Sequence, residues 1–347
     1  MKLLATGDIH ARNKPDGALY NYRRLVRAIT LQAKYEGCSF VIHAGDLIHE
    51  KHATLVELLI MLRDEFVYAR KQGITWVLMP GNHDMPAKHK PALTILQLFK
   101  GVATVYVNRA VLKAQGWSLY LNPWRLPDEF KKNCKALAQA CREDANPFKI
   151  QFAHIGLAEG VLSPSNTYRA PSAVRVADLY PGLYQMTLCA DYHTTQQLHD
   201  KVWYMGAPIA HQHGDATDQG VWVIDTTARS VRQVDIPGKW PKFITRNLAG
   251  KEVLDINPKD NYKLRVTSDM HPYYQLQVAG KPNVKLEVVS DFQQMPTARR
   301  LEGVNEGDSR HVLQIWLKKK GYLDPEYAEM GDLYLSRAEK WLYEHRA

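Results

Sequence analysis

Residues 2–10 read KLLATGDIH. A short apolar run, 2–6, ends abruptly in Gly7-Asp8 and is followed by His10. The same pattern returns twice. Residues 39–43 run out at Gly45-Asp46, and residues 74–79 run out at Pro80-Gly81-Asn82. Between these runs the apolar spacing changes from strand-like to helical. Leu25, Ile29 and Ala33 form one stripe within 19–35; Leu55, Leu58, Leu59, Leu62 and Phe66 form another within 54–71. Short buried strands alternating with helices of this length predict βαβ units and a largely parallel sheet covered on both faces.

Further strands are expected downstream. Residues 148–153 lead to His154, and 186–189 lead to Asp191 and His193. Residues 202–205 and 221–225 read as later, antiparallel strands. The stretch 249–262 marks a boundary, so residues 1–250 form the principal domain. Residues 251–292 form a small capping domain with short strands at 262–267 and 285–290. A polar linker (293–309) then leads to a C-terminal helical segment (310–347), whose residues 325–346 carry an apolar stripe.

In an open α/β sheet, ligands bind beyond the carboxyl ends of the strands. The residues placed there are Asp8, His10, Asp46, Asn82, His154, Asp191 and His193. All are carboxylates, imidazoles or an amide oxygen, and none is a thiolate. Such a mixed N/O set suits Mn²⁺, Fe or Zn²⁺ more than Ca²⁺. Seven ligands exceed the need of one ion but serve two if a carboxylate is shared, and Asp46 is the natural bridge. Two ions roughly 3.5–4 Å apart clamp the attacking and leaving oxygens of a displacement at phosphorus.

These motifs carry a family resemblance. Gly7-Asp8-Ile9-His10, Gly45-Asp46, Gly81-Asn82-His83-Asp84 and His154 resemble the successive motifs of the calcineurin-like metallophosphoesterases. The resemblance implies an α/β fold: a sandwich of two mixed β-sheets flanked by helices, with a small α+β C-terminal capping region and a C-terminal helix. It implies that Asp8, His10, Asp46 and His193 hold one divalent ion. Asp46, Asn82, His154 and the residue at 191 hold the other. His83 would donate a proton to the leaving oxygen, oriented by Asp84.

Within that superfamily the chain resembles the SbcD-type DNA-repair nucleases and their phage recombination-nuclease relatives. Gly45-Asp46-Leu47-Ile48-His49 is similar to their extended second motif, which gives His49 a role in positioning the nucleotide. Tyr204-Met205-Gly206-Ala207-Pro208 and Gly220–Asp225 resemble the stretch after the last metal motif. The resemblance covers about residues 1–225 and implies Mn²⁺-dependent 3′→5′ exonuclease action on duplex DNA, with endonuclease action on single strands. Mg²⁺, Fe or Zn²⁺ are the other candidate ions. It also implies a homodimer and docking of the C-terminal segment on an SbcC-like coiled-coil ATPase. One departure stands out: where the family's last motif reads G-H-x-H, this chain has Ala190-Asp191-Tyr192-His193.

Two alternatives stay open. One is a phosphatase or small-molecule phosphodiesterase on the same fold, and the other is a catalytically weakened DNA-binding adaptor of an ATPase. Arg12, Lys88 and Lys90 are candidate phosphate contacts. His43 reads as a core histidine, and His199, His211 and His213 as loop residues.

Composition fits this picture without deciding it. With 45% hydrophobic and 23% charged residues, the 347-residue chain is neither disordered nor fibrous. No apolar run approaches the length of a membrane span. Asp8 and His10 interrupt any export signal, and four scattered cysteines fit a reducing cytoplasm, the host's if the gene is phage-borne. The net charge is +9, and Lys+Arg exceed Asp+Glu by 30 to 21 in residues 1–250 but stand at 15 to 15 beyond. A basic excess suits a polyanion such as DNA.

Overall fold

The three apolar runs become the parallel centre of a six-stranded sheet. In chain order the elements are β1 (Lys2–Thr6), α1 (Ala18–Tyr35), β2 (Cys38–His43), α2 (Val56–Lys71), β3 (Thr75–Leu78) and the short β4 (Thr104–Val105). β1 to β4 pair side by side and parallel. A computed structural model describes residues 1–12, 18–50, 56–85, 93–162, 172–215 and 219–289. All of these belong to the unit Met1–Phe292. The expected linker 293–309, the docking segment 310–347, Lys88 and Lys90 lie outside the described residues.

A second sheet follows: β5 (Ala110–Ala114), β6 (Trp117–Asn122), then α3 (Pro127–Arg142), β7 (Phe148–His154), β8 (Met186–Ala190), β9 (Gln196–His199) and β10 (Val202–Tyr204). Its order is β5-β6-β7-β8-β10-β9. β11 (Val221–Asp225) and β12 (Ser230–Val234) return to the first sheet, which reads β12-β11-β1-β2-β3-β4. β11 is antiparallel to β1, as expected for a late strand. β10 departs from that expectation, because it runs parallel to β8 and antiparallel only to β9. A tight β9–β10 connection turns the chain and lets β10 enter between β8 and β9.

The central strands β1, β3, β6, β7, β8 and β11 are buried on both faces, which is why they read as continuous apolar runs rather than alternating ones. In β1, Leu4 faces a core shared with Val41, Trp76, Leu25, Ile29, Leu62 and Phe66 beneath α1 and α2. Leu3 and Ala5 face the opposite way, into an inter-sheet core with Ile42, Val77, Leu121, Ile150, Phe152 and Leu188. α3 covers the outer face of the second sheet through Phe130 and Cys134, packed with Ala153, Cys189 and Tyr204. The result is a sandwich of two mixed sheets flanked by helices. The four cysteines are free and buried. Among the described residues no helix is long and apolar enough to cross a membrane.

A third, three-stranded sheet contains β13 (Phe243–Leu248), β14 (Asn261–Val266) and β15 (Val284–Val288), with α4 (His271–Val278) between the last two. All its pairings are parallel. β13 precedes residue 250 yet belongs here, because Leu248 shares a core with Leu264, Val266 and Tyr274. In β14 the burial alternates, with Tyr262, Leu264 and Val266 inward. Lys263 and Arg265 therefore stand on the opposite face, level with Lys285 and Glu287 of β15.

Candidate metal centre

The first turn lies along the second. Asp8 N–H donates to the Gly45 carbonyl at 2.9 Å, His10 N–H to Asp46 at 2.9 Å and Ala11 N–H to Leu47 at 2.8 Å. This continues the β1–β2 ladder past the strand ends but requires backbone that strands do not use. Asp8, His10, Asp46 and Asp191 all have positive φ, at 51°, 46°, 57° and 109°. They are four of the six non-glycine residues in that region among the described residues. Backbone strain of this sort collects at functional sites and persists where surrounding bonds enforce it.

Two glycines make the close approach geometrically feasible. A Cβ at Gly45 would lie 2.3 Å from His154 Nδ1, and one at Gly81 would lie 2.1 Å from Asp46 Oδ1. Any side chain there would occupy the space of a candidate ligand.

Asp46 Oδ2 lies 3.6 Å from His10 Nε2 and 3.5 Å from His154 Nε2. One carboxylate oxygen thus lies near the Nε2 atoms of two different imidazoles. On the His10 side, His193 Nε2 is 3.1 Å from His10 Nε2. The donor atoms of Asp8, His10 and His193 all lie within 4.8 Å of one another. On the other side, His154 Nε2 is 3.2 Å from Asn82 Oδ1 and 3.7 Å from Asp191 Oδ1. Asp8, Asp46 and His154 also fall within 4.8 Å of one another. The departure at position 191 therefore keeps an oxygen donor aimed at this second cluster.

The electrostatics fit cations. Asp8 is fully buried, and that burial lifts its carboxyl to about 7, against the pull of His154 and His193. Burial also pushes Asp46 upward, but His154, His10 and His83 outweigh it and hold it well below the carboxylate range. Burial would lower His154, yet Asp46, Asp8 and Asp191 raise it to about 10. The pocket thus demands positive charge among its carboxylates. His154 Nδ1 meets the Ala44 carbonyl at 2.8 Å, so it carries the hydrogen and aims Nε2 at the cluster. Buried carboxylates, imidazoles whose free nitrogens converge, and an amide oxygen together fit two divalent ions.

His83 and His49 border this cluster. Their rings stack at 5.4 Å with 19° between planes, and His49 Nδ1 lies 3.4 Å from His10 Nδ1. Asp84 was expected to orient His83, but the structure gives that task to another group. The His83 ring bonds through Nδ1 to the His49 carbonyl at 2.7 Å. The Asp84 carboxylate instead accepts backbone N–H bonds from Gly81, Asp46, Leu47 and Ile48 at 3.0, 2.8, 3.3 and 3.1 Å. It staples the third turn to the second, which shapes the site without touching the imidazole.

Arg12 donates to the His211 carbonyl at 3.0 Å, at the rim of the site. His43 is a core residue as read: fully buried beside Trp76, with burial lowering its pKa to about 3. His211 overturns the loop reading. Its side chain is buried, and Nε2 lies 2.6 Å from the Asp8 carbonyl oxygen. Asp215 was not singled out at all, yet its Oδ2 lies 3.7 Å from His193 Nδ1. The H-x-H at 211–213 and the acidic residue just beyond it were the only available signals, and neither follows a strand.

The family model for calcineurin-like phosphoesterases matches residues 1–182, more than half the chain, and the chain belongs to that family. Membership implies metal-dependent hydrolysis of phosphoesters. Among solved structures, a dimetal phosphatase from Danio rerio is similar at 9% identity, covering 64% of this chain and 91% of its own, with a TM-score of 0.39. The nuclease MPE of Pseudomonas putida is similar at 14% identity, covering 67% of this chain and 87% of its own, with a TM-score of 0.30. No curated protein matches the sequence.

Proposed function

We propose that the protein is a two-metal phosphodiesterase that cuts DNA, acting as the nuclease subunit of an SbcC/SbcD-like complex. The observation that carries the two-metal part is Asp46 Oδ2, set between His10 Nε2 at 3.6 Å and His154 Nε2 at 3.5 Å. Asp8, His10, Asp46 and His193 would hold one ion; Asp46, Asn82, His154 and Asp191 would hold the other. Mn²⁺ is the ion the family resemblance implies, and the mixed donors accommodate it as they would Fe or Zn²⁺. Two such ions supply Lewis acidity at phosphorus and a water made nucleophilic near neutral pH.

The chain's own groups do the rest. Because His83 Nδ1 is tied to the His49 carbonyl, Nε2 is the nitrogen available to protonate the departing 3′ oxygen. His49, stacked on His83, positions the nucleotide at the same edge. The choice of DNA rests on charge. The net +9 is one support. A second is the open face of the third sheet, whose cations reach the metal-site loop. His213 lies 3.3 Å from Thr245 on that face, and burial together with Lys263, Lys285 and Arg265 lowers its pKa. A phosphate backbone entering the site would pass these cations.

The test is incubation with Mn²⁺ and labelled duplex or single-stranded DNA, in parallel with nucleotide esters. Mn²⁺-dependent shortening of duplex DNA from its 3′ ends is expected. Turnover of esters with all DNA left intact would overturn the nuclease reading in favour of a phosphatase or small-molecule phosphodiesterase. A neighbouring gene for a coiled-coil ATPase, and co-purification with its product, would test the assembly.

A further inference from the structure

The loop 211–215 touches the His10 side of the centre at two independent places. His211 reaches the Asp8 backbone, with Nε2 2.6 Å from its carbonyl oxygen. Asp215 reaches the His193 ring, with Oδ2 3.7 Å from Nδ1. The opposite nitrogen of that ring, Nε2, is the one 3.1 Å from His10 Nε2. Carboxylate, imidazole and converging donor atoms therefore lie in series.

Asp215 is built in for more than solubility. Its side chain is 1% exposed. Oδ2 also accepts the backbone N–H of His211 at 2.8 Å and of Gln212 at 3.1 Å. Oδ1 is buried without a hydrogen-bond partner among the described residues. Burying a carboxylate with half its acceptor capacity unmet is costly, and two backbone amides could be satisfied by a neutral side chain. What a neutral side chain lacks is the negative charge beside His193 Nδ1.

We infer that Asp215 is a positioning residue for the His10–His193 ion: it holds the His193 ring with Nδ1 outward and Nε2 toward the donors of Asp8 and His10. This rests on the two-metal reading above. Such a carboxylate behind a ligating imidazole fixes the ring's tautomer and raises the basicity of its other nitrogen, and its loss typically weakens metal affinity about 10–100-fold.

The experiment is Mn²⁺ titration of the full chain by calorimetry, with Mn²⁺ alone as the probe, for wild type, Asp215→Asn, Asp215→Glu and Asp215→Ala. Asn keeps an oxygen for the two loop amides and removes only the charge, so it separates positioning from loop bracing. The expected result is two Mn²⁺ per wild-type chain. In Asp215→Asn one of the two affinities falls about 10–100-fold and the other changes little. Glu restores part of the loss, and the metal-free unfolding midpoint of Asp215→Asn stays at the wild-type value. If Asp215→Ala does not fold, Asn and Glu still decide. Both affinities unchanged in Asp215→Asn, with two ions in the wild type, would overturn the inference and leave the two-metal reading standing. Fewer than two ions in the wild type would overturn both.

Discussion

At the scale of single residues the site is assembled from conformations that side chains rarely adopt. Asp8, His10, Asp46 and Asp191 hold positive φ in the turns that end their strands. Asp, Asn and His tolerate that region better than most residues, and short polar side chains there can reach inward. His83 has a different relation to the centre. Its ring is fixed through Nδ1 to the His49 carbonyl and lies 4.7 Å, centroid to centroid, from His10. Removing a general acid typically costs about 10²–10⁴-fold. On the proposed role, His83→Ala is expected to lower kcat by that amount while both metal ions remain bound, as read by steady-state hydrolysis and metal content. Loss of metal along with activity would make His83 a ligand instead. The motif letters identified His83 and Asp84 together, but they could not separate them. Only the packed turns show that Asp84 faces four backbone amides while the His83 ring lies beside His10 and bonds the His49 carbonyl.

At the scale of elements, the second sheet is tied to the loop before β7 by one buried carboxylate. Asp144 accepts the Tyr120 hydroxyl of β6 at 2.6 Å and the Asn146 N–H at 3.0 Å, and lies 3.5 Å from Lys113 of β5. Burial pushes its pKa up, but bonds from Ser118, Tyr120 and Asn146 and the charge of Lys113 outweigh it and hold it below the usual carboxylate range. A carboxyl whose pKa is depressed on folding contributes stability above its unfolded value, about 3.9, and loses it as pH falls toward the folded value. The stability gap between wild type and Asp144→Asn should thus stay constant from pH 5 to 8 and shrink below about pH 4. Urea unfolding of the metal-free proteins at each pH measures it. An unchanged gap at low pH would mean the carboxylate adds no acid-labile stability. This tie was not legible in the sequence, because Asp144 follows no strand and its partners are up to 31 positions away.

At the scale of the molecule, the distribution of charge along the chain proved to be a poor guide to its distribution in space. Residues 251–347 are neutral in sum. Yet the strand register of the third sheet collects Lys263, Arg265 and Lys285 on one face, with Glu287 beside Arg265 at 3.0 Å. That face meets His213, two positions from a residue that touches the Asp8 carbonyl. If DNA passes there, affinity should fall steeply with salt, and Lys263→Ala or Lys285→Ala should each reduce the slope of log K against log[salt] by about 1. Duplex binding by fluorescence anisotropy across a salt series checks this. Identical slopes in wild type and both variants would remove the third sheet from the DNA path.

The sequence by itself determined the strand–turn chemistry. Apolar runs ending in Gly-Asp, Gly-Asn and His are local patterns, and each encodes a buried strand followed by a turn that presents a donor. They were enough to expect a parallel sheet with Asp8, His10, Asp46, Asn82, His154, Asp191 and His193 at one edge, and the family resemblance they carry implied the two-sheet sandwich. The tertiary structure alone decided which of those donors share an atom's neighbourhood, that Asp191 stays aimed at His154, and that Asp84 braces backbone rather than His83. It alone brought in His211 and Asp215, and placed three lysine and arginine side chains of the third sheet beside the metal-site loop. The physical reason is range. Strand and turn preferences act over a few residues, whereas ligand geometry, burial and electrostatics depend on groups up to 203 positions apart, as between Asp8 and His211.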